Sequence, residues 1–452
     1  MKFGQRYSVR KSLKPVRLAR GIWNPRMREW RDIVEDYLYI SKKRINNKWA
    51  MFKLQMSILQ DIIGNIEAID EYKELEKRLT EGDEPERGSK ADLEAEKEHI
   101  RSEIDSKTIL NKALREVVDG IVWKYFKYNR AILYMLADKE PIETIRMDKG
   151  TINALYEFAD VFLNEGAVAI FNDITNFLRV GDITQIKDDG TIEIVEVKAG
   201  AKRGRRVTRQ RQRMSELVEF FNTGLTNYDG NSMQILDSGV RQKNYLSLLH
   251  EAINKARNKG FESLLIGDYL ILEVVDFSRI KEADDFIEAF ESRHKSVKEE
   301  WKKRRDFVVP SFFIEKMEYS KNCAPFSIYP FDLEICTDIM MGRLMVSTRL
   351  NFSQVLRIIR KAGWDIVDSL NSRSKKEMES ICGKDIKDIS FLKIRKGTFT
   401  IDVPPSLIAR MQYELLAPSA VIAEFEEAYS RGPNKEYECY LTNYTDEQRI
   451  WR

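Results

Sequence analysis

Between two β-rich runs, Phe177–Ile186 and Thr191–Lys198, stands Lys187-Asp188-Asp189-Gly190-Thr191, the composition of a tight turn. Strand, turn and strand in this order predict a hairpin. Side chains alternate between the faces of a strand, so the register that the turn selects decides which residues meet. If Asp188, Asp189 and Gly190 form a three-residue loop with Gly190 left-handed, Lys187 pairs with Thr191. Asp182 then falls opposite Glu196, with Cβ atoms about 4.5–5.5 Å apart. A two-residue Asp189-Gly190 loop instead pairs Asp182 with Val197 and turns Glu196 to the other face. The first register makes a carboxylate pair and the second separates it.

Glu196 and Lys198 are two apart and share a face of the second run, with Ile192 and Ile194 nearer the turn. Two carboxylates and a lysine at the end of an apolar strand are costly to bury unless paired or metal-bound. Facing carboxylates repel, and a divalent cation relieves that repulsion. Oxygen ligands select Mg²⁺ or Mn²⁺. A lysine beside them can orient or deprotonate a water, or stabilise charge in a phosphoryl transition state. Together these groups are the equipment of metal-assisted phosphodiester hydrolysis. An Glu-x-Lys tripeptide alone is common, and a solvent-facing Glu-Lys pair on an edge strand is the plain alternative. The upstream acid, the intervening turn and a basic helix directly after favour the chemical reading.

That helix, Val207–Asn222, follows a run in which seven of the twelve residues from Lys202 to Arg213 are basic: Lys202, Arg203, Arg205, Arg206, Arg209, Arg211 and Arg213. Each phosphate that such a run neutralises adds affinity by counterion release. Its position beside the acids favours phosphate binding over a merely solvated face.

The order of helix, strand, strand with Gly181-Asp182, strand with Glu196-Val197-Lys198 and a Gln/Arg-bearing helix resembles the PD-(D/E)xK, or restriction-endonuclease-like, nuclease superfamily. The resemblance covers about residues 152–222 and extends at most to 275. Gly181 stands where the motif's proline would be. The resemblance implies that Asp182 and Glu196 bind metal and that Lys198 acts on the attacking water. It further implies a helical glutamate, for which Glu157 is the best match and Glu165 the substitute. A glutamine on the later helix is also implied, either Gln210 or Gln212. The substrate implied is nucleic acid, DNA rather than RNA. Large flanking regions suit regulated or target-specific cleavage, as in restriction or anti-phage defence.

The chain has 452 residues, 43% of them hydrophobic, more than one core usually holds. Three regions are expected. Residues 1–148 carry a basic arm and a long helical hairpin, 149–280 the α/β nuclease-like core with a mixed sheet flanked by helices, and 281–452 a charged connector and an α+β region. The first 31 residues hold ten Lys or Arg and one acid, Glu29, with Trp23 and Trp30 interleaved. This arm suits either phosphates or acidic protein surface. Leu59, Ile62, Ile66, Ile69 and Tyr72 form one helical stripe, and Leu93, Ile100, Ile104 and Leu114 form another, with a break at residues 82–88. The hairpin so formed either packs on its own chain or joins two copies. A helix at Tyr245–Asn258 and a strand at Leu264–Val275 complete the central region. Lys281–Arg305 reads as a charged helical connector. Four scattered cysteines without a CxxC pair speak against a zinc or disulfide framework and for a reduced, cytoplasmic setting. No apolar run approaches the roughly 20 residues that span a bilayer. The rival readings are a non-catalytic nucleic-acid-binding protein that keeps the fold as scaffold, and a structural protein that assembles through the hairpin.

Overall fold

The computed structural model describes residues 25–81, 90–137, 145, 147–165, 167–178, 180–197, 214–221, 223–228, 231–237, 240, 242–280, 293–313, 323–369, 392–403, 405–432 and 439–443. The protein mixes helices with four small sheets among these residues. Three helices lead: α1 (Pro25–Lys43), α2 (Lys48–Glu81) and α3 (Lys90–Tyr125). The expected hairpin is α2 against α3. Its apolar stripe buries Leu54, Ile58 and Ile62 from α2, and Leu114, Val117, Val118 and Ile121 from α3. Cross-links along it include the Asn65 amide to Asn111 (2.9 Å) and Arg101 to Glu76 (2.6 Å).

The C-terminal half of α3 packs on its own chain. Glu116 accepts from the Phe326 N–H at 2.7 Å, and Gly120 lies so close to Ser327 that a Cβ would meet its Oγ at 2.4 Å. Arg31, the last cation of the basic arm, sits in α1 and pairs with buried Asp338 at 2.7 Å. This residue thus pairs with a buried acid of its own chain; residues 1–24 of the arm lie outside the described residues.

After the short α4 (Arg130–Leu136), helix α5 (Lys149–Glu165) starts where the Asp148 carboxylate accepts from the Thr151 N–H at 2.9 Å. It buries Ala154, Phe158 and Val161. Strands β1 (Val168–Phe171), β2 (Ile183–Ile186) and β3 (Ile192–Val195) then form an antiparallel sheet in that order. The free edge of β1 is closed by a buried side chain. The Gln55 amide of α2 donates to Ala169 O (2.9 Å) and accepts from Phe171 N (3.0 Å), so the edge offers no bonds there to another chain. Of the expected basic helix, residues 214–221 are helical and 198–213 lie outside the described residues.

The remaining sheets join distant parts of the chain. Strands β4 (Leu225–Tyr228) and β5 (Asn231–Asp237) pair antiparallel, and β13 (Cys439–Asn443) adds to β5 in parallel. Helix α6 (Leu246–Lys259) ends at Gly260, whose φ of 87° only glycine adopts freely. The expected single strand at Leu264–Val275 is two: β6 (Phe261–Ile266) and β7 (Leu270–Asp276), folded back through Gly267 at φ 57°. Apolar residues stand on both sides of the Gly267-Asp268 turn, Leu264–Ile266 before it and Tyr269–Leu272 after it, so the turn lies inside what reads as one run.

Strand β7 pairs with β9 (Leu344–Asn351), and β8 (Val308–Phe312) pairs with β9 on its other side. This sheet crosses the expected boundary at 280. One apolar core likewise continues from Met27 of α1 to Phe425 near the C-terminus, through both expected boundaries. Helix α7 (Lys295–Lys303) is the described part of the expected connector. Beyond it come α8 (Leu333–Met340), α9 (Phe352–Lys361), a small antiparallel sheet of β10 (Asp365–Ser369), β11 (Leu392–Lys396) and β12 (Phe399–Val403), then α10 (Pro405–Tyr413) and α11 (Pro418–Arg431). Cys323 and Cys336 are buried free thiols. Among the described residues no helix is long and apolar enough to cross a membrane.

Candidate active site

The turn between β2 and β3 has the three-residue form. Lys187 N–H bonds Thr191 O and Gly190 N–H bonds Lys187 O, both at 2.9 Å, with Gly190 at φ 87°. The ladder keeps this register from Ile186 opposite Ile192 to Ile183 opposite Val195. One step further the regular pairing stops. Asp182 N–H turns to Val195 O at 2.9 Å, so Asp182 and Ile183 share one partner as at a β-bulge. Asp182 and Glu196 therefore do not meet as a cross-strand pair of the ladder. The physical reason is Gly181, at φ 70°, which swings the chain as it enters β2. The Asp182 carboxylate instead accepts from the Val197 N–H, across the end of β3.

The turn after β1 fixes this bend. Asn172 donates its side-chain amide to Val180 O and Gly181 O, each at 3.0 Å, and accepts from the Thr184 hydroxyl at 2.9 Å. Its backbone N–H bonds Asp182 O at 2.9 Å. Helix α3 fastens the same turn. Arg115 donates to Asp173 O at 2.8 Å, and Asp119 accepts from Asn176 N (2.9 Å) and Nδ2 (2.8 Å). The position of Asp182 is thus set by buried polar groups on three elements.

The electrostatics are those of an acid held against its preference. Burial pushes the Asp182 carboxyl up to about 6, opposed by the Val197 N–H and assisted by the negative charges of Glu196 and Asp173. Glu196 is itself exposed at the end of β3. Asp173 had no part in the sequence expectation. Its only signal there was the Asn172-Asp173 pair directly after a β-rich run, which reads equally well as a plain turn. Glu157 stands on the exposed side of α5, because the helix turns Ala154, Phe158 and Val161 inward. The acids whose charge reaches Asp182 are thus Glu196 and Asp173, in place of the expected Glu157. The side chain of Glu165 lies outside the described residues. So do Lys198, Lys202, Arg203, Arg205, Arg206, Arg209, Gln210, Arg211, Gln212 and Arg213.

Among the described residues no three His, Cys, Asp or Glu side chains converge as a metal cage. Mg²⁺, however, is commonly held by one or two carboxylates, with waters and substrate phosphates completing its shell. A half-buried Asp182 that feels two neighbouring negative charges fits that mode, since a cation would offset the repulsion. Compared with protein-family models, with curated proteins and with solved structures, the chain matches none.

Two expected results follow from this geometry. Gly181→Ala forces a side chain into a left-handed conformation and brings its Cβ to 2.4 Å from Ile194 Cγ2. It should destabilise the fold by at least about 2 kcal/mol in urea unfolding. An unchanged midpoint would show that the bend at residues 180–182 is not under this constraint.

The second concerns pH. The folded-state value of Asp182, about 6, stands above its ordinary 3.8. Below about pH 4 both folded and unfolded chains hold the proton and nothing is lost. As pH rises towards 6 the unfolded chain releases it first, so stability falls, and above 6 the loss is complete. For this partly screened group the loss is about 1–2 kcal/mol. Asp182→Asn keeps an oxygen for the Val197 N–H and removes the charge. In metal-free buffer it should be more stable than wild type by that amount near pH 7.5, with the difference vanishing near pH 4. A constant difference across that range would contradict the cause assigned here.

Proposed function

We propose that the chain is a metal-dependent nuclease that hydrolyses phosphodiester bonds, with the PD-(D/E)xK type of centre that its sequence resembles. The observation that carries the reading is the half-buried Asp182 at the end of β2, perturbed by Glu196 and Asp173 and bonded to the segment Glu196-Val197-Lys198. Asp182 and Glu196 are the residues that would hold Mg²⁺ or Mn²⁺. Such an ion polarises the scissile phosphate and lowers the pKa of a water when bound. The chain's own part is to place oxygens at one point, exclude bulk water from one side of Asp182, and present positive charge to the phosphate backbone. Lys198, two residues after Glu196, is the group proposed to orient the attacking water. The run from Lys202 to Arg213 leaves the same strand and supplies cations for the backbone. DNA is the proposed substrate, and defence against foreign DNA the proposed setting, both by the family resemblance alone.

The test is to incubate purified protein with plasmid DNA and with RNA in Mg²⁺, in Mn²⁺ and in EDTA. Cleavage in either metal and none in EDTA supports the reading. Binding without cleavage in any metal points to a nucleic-acid-binding protein that uses the same fold as scaffold.

A further inference from the structure

A ladder of stacked rings climbs from the core to the surface between α2 and α5. Phe158 is 1% exposed and stacks with Phe52, ring centres 5.2 Å apart. Phe52 stacks with Phe162 at 4.5 Å, and Phe162 with Trp49 at 5.4 Å. Trp49 also lies 5.7 Å from Phe52 with planes 14° apart, and it is 48% exposed. The inner rings already seal the core, so an outermost indole left half in water is apolar area without a folding use. It is also held rigidly, because its neighbours are anchored on two helices.

The surroundings of Trp49 are cationic. A shallow pocket of about 670 Å³ is lined by Lys43, Arg44, Asn46, Asn47 and Lys48 together with Trp49 and Phe162. Lys53, one turn along α2, holds its Nζ over the indole ring, 5.0 Å from its centre, as a cation–π contact that a stacking base would displace. Lys48 itself pairs with Asp188 of the β2–β3 turn at 2.6 Å. An aromatic face bordered by Lys43, Arg44 and the Asn46 and Asn47 amides complements an unpaired base with phosphates on either side of it. Bases stack on such rings whatever their identity, and Lys or Arg side chains track the backbone. In a duplex the base faces are already stacked on each other, so the strand must be single.

We infer that the Trp49 platform binds single-stranded nucleic acid by stacking one base on the indole ring and pairing its flanking phosphates with Lys43 and Arg44. The platform lies against the turn of the β2–β3 hairpin, whereas Asp182 lies at the other end of β2, roughly 20 Å along the strand. It goes beyond the nuclease reading, because it requires binding and no hydrolysis.

The experiment measures anisotropy of labelled twelve-nucleotide oligothymidylate and oligouridylate with the full chain in EDTA. Trp49→Ala should weaken binding of the preferred oligonucleotide about 5- to 100-fold. Trp49→Tyr should restore most of the affinity, since stacking needs a ring and not an indole. The exposed double change Lys43→Gln with Arg44→Gln should lower the slope of log affinity against log salt by about 1.4, two phosphates' worth for a single strand. Wild-type affinity in Trp49→Ala, equal competition by duplex of the same length, or displacement by anionic lipid vesicles would each overturn the inference. Cleavage plays no part in these readouts. A protein that never cleaves can still pass them, and a nuclease can fail them.

Discussion

Asp182→Ala and Glu196→Ala should each reduce Mg²⁺-dependent cleavage about a thousandfold or more while nucleic acid still binds. The reasoning begins with charge. On the proposed reading a cation would be held by these two carboxylates, with Asp173 adding field, and the loss of either would remove several kcal/mol of transition-state stabilisation. The two variants should differ in one respect. Asp182 is half-buried and bonded to the Val197 N–H, so its removal also loosens the end of β3; Glu196 is exposed, so its removal should leave stability nearly unchanged. Asp182→Asn separates the two effects, because it keeps the acceptor and loses the charge. Lys198→Ala should stop cleavage as well and weaken binding slightly, since it takes a positive charge from the phosphate. The decisive comparison measures cleavage and binding together on wild type and these variants in Mg²⁺ and in Mn²⁺. Metal-dependent cleavage that survives both alanine changes would place the active site elsewhere in the chain. A protein that assembles through its helical hairpin and neither binds nor cleaves would match the structural alternative.

Glu414→Ala should lower folding stability by about 3–5 kcal/mol, the effect of breaking a buried ion pair. Glu414 follows α10 and is almost wholly buried. Its carboxylate accepts both guanidinium nitrogens of Arg130 (2.9 and 2.8 Å), the Arg410 Nε (3.2 Å) and the Ala324 N–H (2.7 Å). Burial opposes its ionisation, yet the adjacent Arg130 and Arg410 charges hold its carboxyl below the ordinary value. Alanine would take from buried Arg130 its bidentate carboxylate and leave Arg410 with Glu424 at 3.5 Å, and that loss of buried charge compensation is the source of the effect. Glu414→Gln keeps an acceptor for Ala324 and should fall between. A depressed carboxyl contributes at neutral pH, and the contribution fades as acid protonates the folded state. The gap between wild type and Glu414→Gln should therefore narrow on acidification. Because Arg130 belongs to α4 and Glu414 to the C-terminal region, the same change also tests whether the two ends of the chain unfold as one unit. Two separate transitions in Glu414→Ala, against one in wild type, would show that this network couples them. Equal stability of wild type and Glu414→Ala would mean that the bidentate pair contributes nothing net.

The contrast between these two sites shows what was legible in the chain and what was not. The β2–β3 turn and its register were legible in the sequence because their signals are local. Gly190 in a left-handed position selects a three-residue loop, and the loop alone sets the pairing of Ile183 with Val195. The spacing of Leu59, Ile62, Ile66, Ile69 and Tyr72 likewise defines a helix before any partner is known. The Glu414 network could not be read in this way. Only Arg410, four residues before Glu414, stands at a helical spacing; Arg130 and Ala324 lie 284 and 90 residues away, and nothing local marks them as partners.

Local pattern determined where the helices run, where the β2–β3 turn lies and which residues its register brings near each other. Tertiary structure decided the rest. It placed the bulge at Asp182, through Asn172 and the bonds from α3. It brought Asp173 rather than Glu157 into range of that carboxylate, and it set Phe162 of α5 beneath Trp49 of α2. It also joined β7 to β9 across the expected boundary at 280 and β13 to β5 in parallel. The physical reason is one of range. Helix and turn formation depend on neighbours within a few residues, which a sequence displays directly. The choice of packing partners depends on apolar area buried and polar groups satisfied between segments far apart, and these quantities exist only once the chain has closed on itself.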